Sequence, residues 1–397
     1  MVGIEPFEVE QWMDRYEQTP GVLNIAETCA ASVSIDELVG MCKDETAPGP
    51  LTLSTKLTYG AIRGSEQLRQ RVASQLGRDA VEPLSPESIV ITQGAIAANF
   101  LVFYSLVGPG DHVVCVHPTY AQLYAVPRSL GAEVSLWELK PEHGYIPNVS
   151  ELERLIRANT KLIVVNNPNN PTGSTIPAPV LKAIVALART RGITVLADEV
   201  YSPLYHTLPD GQTPPSSVLS FGYDKTIATG SMSKAYALAG IRLGWIGSRD
   251  AAIIDLVLKA RDYTTISVSQ LDDQVACYAL SDAVFPSLMQ RNIALARSNL
   301  ARLSAFVDKY SSTCSWVKPT AGTTALVQFR KRGQPVDDPA FVLEVLGKTK
   351  VLFLPAGPCF GEGKKFRGFV RIGYVCHSEV LTEALKRLGQ FVEENLL

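Results

Sequence analysis

The sequence lacks the features that would direct it to a membrane, a nucleic acid or a metal. None of its 397 residues fall in an apolar run long enough to span a bilayer. Met1 to Arg15 carries Glu5, Glu8, Glu10 and Asp14 rather than the basic start and apolar core of a secretory leader, so a cytoplasmic location is expected. Formal net charge is −2 and neither sign forms a tail, which argues against nucleic acid or a membrane surface as partner. The seven cysteines, Cys29, Cys42, Cys115, Cys277, Cys314, Cys359 and Cys376, never form a C-x-x-C pair. That spacing argues against zinc and dithiol redox sites, so no metal is expected, and most of these thiols read as small buried hydrophobes. No G-x-G-x-x-G follows the first strand, which sets aside a nucleotide-dependent dehydrogenase. No internal repeat or low-complexity stretch is visible.

What is present is material for a large core. Hydrophobic residues make up 46% and charged residues 19%, as in a globular enzyme, and the length implies two domains. From about Glu87 to Gly247, short apolar runs alternate with helical periods. Strands are predicted at Ser88–Thr92, His112–Val116, Glu133–Trp137, Lys161–Asn166, Thr194–Asp198, Thr226–Gly230 and Leu243–Gly247. Helices are predicted at Ala95–Val107, Thr119–Leu130, Val149–Ala158 and Ala178–Arg191. Strands separated by helices imply a mostly parallel sheet between two helical layers, with ligands bound beyond the carboxyl ends of the strands. After about Ser281 the pattern changes. A long helix at Ser287–Tyr310, strands near Ala325–Phe329 and Phe369–Gly373, and a last helix at His377–Glu394 read as a smaller α+β domain. The expected division is an N-terminal arm, 1–45, joining the small domain; a large domain, 46–280; and a small domain, 281–397.

The polar residues at the predicted strand ends carry the chemistry. Ser231-Met232-Ser233-Lys234 places two hydroxyls beside a lysine, and Arg242 follows eight positions later. A lysine amine forms imines with aldehydes, and hydroxyls with a guanidinium bind a phosphate dianion. Asp198 ends an apolar strand, where a carboxylate is costly without a positive partner such as a protonated pyridine nitrogen. The rigid turn Asn167-Pro168-Asn169-Asn170-Pro171-Thr172-Gly173 aims an amide at a ring oxygen. Thr92-Gln93-Gly94-Ala95-Ile96 opens a helix with small residues, which suits an anion. Tyr120 offers a ring for stacking. Arg371, inside the apolar strand Phe369–Gly373, needs an anion such as a substrate carboxylate. Each signal has a plainer reading as a loop, a core tyrosine or a structural ion pair. Their order along one chain is what distinguishes them.

That order resembles the class I and II aminotransferases, the fold-type I enzymes of pyridoxal 5′-phosphate. The resemblance runs from about Leu53 to Arg387. It implies an α/β fold with a three-layer large domain, a mostly parallel seven-stranded sheet and a smaller α+β domain. It also implies Lys234 as the Schiff-base lysine, Asp198 on the pyridine nitrogen, Asn170 and Tyr201 on the ring oxygen, and Tyr120 stacked on the ring. Lys234, Asp198 and Tyr201 form the catalytic set. Gly94, Ala95, Ile96, Ser231, Ser233 and Arg242 hold the phosphate, and Arg371 takes the substrate carboxylate. Tyr59-Gly60-Ala61-Ile62-Arg63-Gly64 resembles the family's Y-G-x-x-x-G segment, whose tyrosine reaches the neighbouring subunit's phosphate. A homodimer with shared sites follows, with Tyr263-Thr264-Thr265 placed at the same seam. The activity implied is transamination of an α-amino acid.

One segment departs from the family. The usual glycine-containing stretch near the N-terminus is replaced by Leu23 to Leu38, which, with Trp12-Met13-x-x-Tyr16, is similar to capreomycidine synthases. Those enzymes use the same cofactor to eliminate water from a hydroxylated arginine and close a ring. An elimination or cyclisation therefore stands as the alternative to transamination. Glu27 either faces a cationic substrate side chain or is a solvent-facing or N-cap acid. Pro319-Thr320-Ala321-Gly322-Thr323-Thr324 also departs from the family's pattern. The pocket expected to separate these fates surrounds Glu27, Tyr59 and Cys359.

Overall fold

A computed structural model describes residues 3–44 and 46–397. Residues 1, 2 and 45, on which ends of the expected N-terminal arm fall, lie outside the described residues. Seven strands form the main sheet: β1 Ile89–Thr92, β2 His112–His117, β3 Glu133–Glu138, β4 Thr160–Asn166, β5 Thr194–Asp198, β6 Thr226–Ser231 and β7 Gly244–Ser248. Their spatial order is β1-β7-β6-β5-β4-β2-β3. β7 runs antiparallel to both its neighbours and the other pairings are parallel. This is the mostly parallel seven-stranded sheet expected from the alternation of strands and helices.

The strands are apolar throughout because both faces of the sheet are covered. Ile163, Val165, Val195 and Ala197 enter one core, beneath Leu181, Ile184 and Ala188 of the helix Ala178–Arg191. Leu162, Val164 and Leu196 point the other way, against Leu101 and Val102 of the helix Gly94–Leu106 and Val257 of the helix Ala251–Asp262. The period of two in a strand thus divides each run between two cores. The helix Ala178–Arg191 coincides with its sequence expectation because its ends are marked: Pro177 and Pro179 begin it, and Gly192 ends it in the left-handed conformation.

A second, antiparallel sheet joins Cys314–Trp316, Thr324–Lys331, Gln334–Pro335, Leu354–Pro355 and Phe369–Gly373. The helices Phe285–Lys309, Asp338–Thr349 and Ser378–Asn395 accompany it. The N-terminal segment is tied here, since Leu23–Asn24 pairs in parallel with Val351–Leu352. Helices at Glu8–Tyr16 (α1), Ile35–Gly40, Glu66–Leu76, Ala251–Asp262, Gln270–Ala279 and Asp338–Thr349 were not expected from the sequence. The helix expected from Thr119 starts only at Gln122, which leaves Tyr120 in the turn after β2. Among the described residues no helix is long and apolar enough to cross a membrane.

Candidate active site

A cavity of about 590 Å³ lies at the carboxyl ends of β2, β4, β5 and β6, large enough for a drug-sized ligand. Its floor gathers residues from those ends: Asn166 and Asn170 after β4, Asp198 from β5, and Ser231, Ser233 and Lys234 after β6. Ala95 and Ile96 come from the helix Gly94–Leu106, Tyr120 and Tyr201 from neighbouring turns, and Arg242 from beyond a short 3₁₀ turn. Glu27 and Arg371 also line it. The cavity therefore brings together almost every residue singled out from the sequence. Gly94 underlies the wall rather than lining it. It has φ +77° and a Cβ there would meet the Arg242 guanidinium at 3.0 Å, so glycine is required for this approach.

Asp198 is 3% exposed, and burial pushes its carboxyl up to about 6. Its oxygens accept from Asn99 Nδ2 at 3.1 Å and from the Val200 N–H at 3.2 Å. No described basic side chain lies within ion-pair distance of it. Asn99 is itself oriented by Thr229, whose hydroxyl donates to Asn99 Oδ1 at 2.7 Å. Asn99 was not read from the sequence; its only signal was an amide on the buried face of an otherwise apolar helix.

Lys234 donates from Nζ to Thr28 Oγ1 at 2.6 Å and lies 3.9 Å from Glu27 Oε1. Burial lowers its affinity for a proton, but the surrounding Cys29, Tyr201 and Glu27 outweigh this and raise its pKa. Near neutrality Glu27 supplies that field, because burial also pushes the Cys29 thiol up to about 11 and raises the Tyr201 phenol. Although the Glu27 side chain is 48% exposed, partial desolvation works against its carboxylate too, yet Lys234 and the Thr28 N–H together hold it below its ordinary range. Glu27 Oε1 accepts from the Thr28 and Cys29 N–H groups at 2.6 and 3.2 Å. The segment is pinned by Gly373, whose N–H donates to Ile25 O and where a Cβ would sit 1.7 Å from Glu27 O. Thr28 was also missed from sequence.

Arg371 is 2% exposed and meets no described carboxylate within 4 Å. It donates to Ala26 O at 2.7 Å and to Asn170 Oδ1 at 3.3 Å, while its Nε has no partner among the described residues. The structural ion pair that would explain it plainly is thus missing among those residues.

The rim departs most from expectation. Cys359 is buried in the core and Tyr59 is 79% exposed, and neither lines this cavity. Their place is taken by α1, which contributes Val9, Glu10, Met13, Asp14 and, at its C-cap, Glu17. The Tyr120 hydroxyl donates to Glu10 Oε1 at 2.8 Å, and its ring packs on Phe7 with centroids 4.8 Å apart. The spacing of Val9, Trp12, Met13 and Tyr16 was the available signal for this helix.

The donor set fits pyridoxal 5′-phosphate. Ser231, Ser233, Arg242 and the N–H groups opening the helix Gly94–Leu106 could hold a phosphate. The uncompensated Asp198 matches a ring N–H⁺, and Lys234 an aldehyde.

Comparison with known proteins agrees. The family model described as aminotransferase class I and II matches residues 50–388. Capreomycidine synthase from Streptomyces vinaceus is 30% identical over 331 residues, covering 83% of this chain and 80% of that protein. Arginine–pyruvate transaminase AruH from Pseudomonas aeruginosa is 30% identical, covering 85% of this chain and 83% of that one. The crystal structure of a PLP-dependent aminotransferase from Streptococcus suis superimposes with a TM-score of 0.86 at 34% identity, covering 98% of each chain.

Proposed function

This chain belongs to the class I and II aminotransferase family, and on that premise we propose that the cavity transfers the amino group of an α-amino acid, with Lys234, Asp198 and Arg371 as its central residues. The observation that carries this reading is a pair of buried, opposite charges without ion-pair partners among the described residues, Asp198 and Arg371, lining one cavity with a lysine.

Pyridoxal 5′-phosphate, when bound, supplies an aldehyde that condenses with amines and a cationic ring that withdraws electrons from the substrate α-carbon. Asp198 would keep the ring nitrogen protonated, since an ion pair relieves the cost of its own burial. Asn170 and Tyr201 would bind the ring oxygen, and Tyr120 would cover the ring. Ser231, Ser233, Arg242 and the residues Gly94, Ala95 and Ile96 would hold the phosphate. Arg371 would grip the substrate carboxylate with its fork and so turn the α-hydrogen toward Lys234. Lys234 Nζ would take that proton and return it at the other end of the transfer. Thr28 Oγ1, 2.6 Å from this amine, supports holding it in place.

A second reading, elimination at Cβ followed by ring closure, is supported by the 30% identity to capreomycidine synthase. The same residues serve either fate, because both begin with loss of the α-proton. We also read the enzyme as a homodimer. Leu57, Tyr59 and Tyr263, at 70, 79 and 92% exposed, offer a surface for a second copy, and Tyr59 would reach that copy's phosphate site. Sedimentation equilibrium tests this, a dimeric mass being expected.

The functional test is to incubate the cofactor-loaded protein with amino acids and pyruvate or 2-oxoglutarate. A new keto acid with alanine or glutamate supports transamination. Ammonia or a cyclised amino acid supports the second reading.

A further inference from the structure

Charges around the cavity do not balance once the proposed cofactor and the substrate carboxylate are in place. Arg242 is taken by the phosphate, Arg371 by the carboxylate, Lys234 by the carbonyl chemistry and Asp198 by the ring nitrogen. Of the four other lining carboxylates, Glu27 faces Lys234, while Glu10, Asp14 and Glu17 remain without a cationic partner among the described residues. Among the described residues, no Lys, Arg or His lies within 4 Å of the carboxylates of Glu10, Asp14 or Glu17; the ion pair in this region joins Glu27 to Lys234.

A solvated helix face is the plain explanation for acids on α1, and two features oppose it. The first is the distribution around the helix. Residues 10, 13, 14 and 17 share one face by the i, i+3, i+4, i+7 rule and line the cavity, whereas Arg15 lies elsewhere, 5.8 Å from the Tyr16 ring. The second is position along the helix. α1 ends at Tyr16, so Asp14 and Glu17 occupy the negative end of its dipole, where acids weaken a helix and bases strengthen it. Local rules are broken in this way where a site demands it. An independent observation orients the ligand: Arg371, 2% exposed with its Nε unpartnered, lines the same cavity and is built for an anion.

We propose that the substrate is an α-amino acid with a cationic side chain, its carboxylate on Arg371 and its guanidinium or ammonium group among Glu10, Asp14 and Glu17, with Glu27 adding to the field. This rests on the reading of the site as an amino-acid transferase. α1 is then the specificity-determining element. Glu10 is held for this by the Tyr120 hydroxyl, while Asp14 and Glu17 remain free to turn toward the ligand.

The test titrates the cofactor-loaded enzyme with arginine, lysine, citrulline, norleucine and glutamate and reads half-saturation from the shift of the cofactor's absorbance band. Citrulline is the decisive control, having the shape of arginine without its charge. Arginine and lysine are expected to half-saturate about tenfold below citrulline and norleucine, an advantage that shrinks in high salt because rim charges are screened. The Asp14→Asn/Glu17→Gln double variant is expected to reduce the arginine-to-citrulline preference roughly tenfold, about threefold per exposed charge pair. Equal or better binding of citrulline, norleucine or glutamate overturns the proposal and leaves the transferase reading standing. So does an unchanged preference in a double variant that folds and holds cofactor. A cofactor band that no amino acid shifts overturns the transferase reading and the proposal together.

Discussion

Asp198, Asn170 and Ser231 follow the ends of parallel strands and are buried, while Glu10, Asp14 and Glu27, across the same cavity, are exposed. The two sets are held differently. Each floor residue sits at the end of a strand hydrogen-bonded into the seven-stranded sheet or in the turn that follows it, and packing on both faces of the sheet fixes those ends. The rim residues sit on one nine-residue helix and on a loop pinned at Gly373. The floor thus suits chemistry common to every substrate, whereas the rim suits choosing among substrates. Changes to the floor should lower activity toward all amino acids alike, and changes to the rim should reorder them.

Lys234→Ala should show the largest effect. Without the amine, turnover should fall by roughly 10⁴-fold or more for every amino acid, and the visible band of lysine-linked cofactor should vanish. A variant that keeps the band and ordinary turnover would remove the floor from the chemistry altogether.

Asp198→Asn comes next. Loss of the ring's ionic partner should lower turnover by about 10²–10³-fold, again without changing substrate preference. The cofactor-free protein offers a second measurement. Burial raises the Asp198 carboxyl from 3.8 to about 6, so its folded state prefers the proton. The sign follows: the Asp198 contribution to stability is fullest below about pH 4 and is lost as pH rises through about 6, by about 3 kcal/mol in all. Urea midpoints of the apoprotein should show this loss, and Asp198→Asn should lack that part of it. Glu199, pushed up to about 7 by burial, adds a slope of its own that both proteins share.

Arg371→Gln should weaken half-saturation by roughly 10–100-fold, the worth of a buried charge-assisted pair, and equally for arginine and citrulline. Equal weakening would keep Arg371 with the floor, although it comes from the second sheet. Unequal weakening would mean that it reads side chains.

The same contrast governs how much could be read in the sequence. Floor residues terminate apolar runs, so their positions announce themselves, and Asn170, Asp198, Lys234 and Arg242 all converge on the cavity as expected. Helix Ala178–Arg191 and strand Thr194–Asp198 were legible to the residue because proline and glycine mark their limits. The rim was opaque for a physical reason. α1 is short and half-exposed, with only Val9 and Met13 buried, so its apolar stripe spans too few turns to stand out and its acids look like solvent-facing ones. Asn99 and Thr28 were hidden differently: each acts through a contact remote in sequence, with Asp198 and Lys234, which no local pattern reveals. Cys359, expected around the pocket, is instead packed in the core, as a small buried hydrophobe.

Tyr120→Phe should have the smallest effect, and it tests whether floor and rim are coupled. Tyr120 follows β2, yet its hydroxyl donates to Glu10 on α1 at 2.8 Å while its ring stays packed on Phe7. Phenylalanine preserves the packing and removes only the hydrogen bond, a loss of about 1 kcal/mol. If that bond anchors α1, amide hydrogen exchange in residues 8–16 should accelerate about fivefold, with exchange in β4 and β5 unchanged. Arginine half-saturation should rise by less than about threefold, since Asp14 and Glu17 remain. Unchanged exchange in α1 would mean that burial of Val9 and Met13 alone holds the helix, so that floor and rim meet only through the ligand. Faster exchange that spreads into β4 and β5 would mean that they form one cooperative unit, and the division between them would fail.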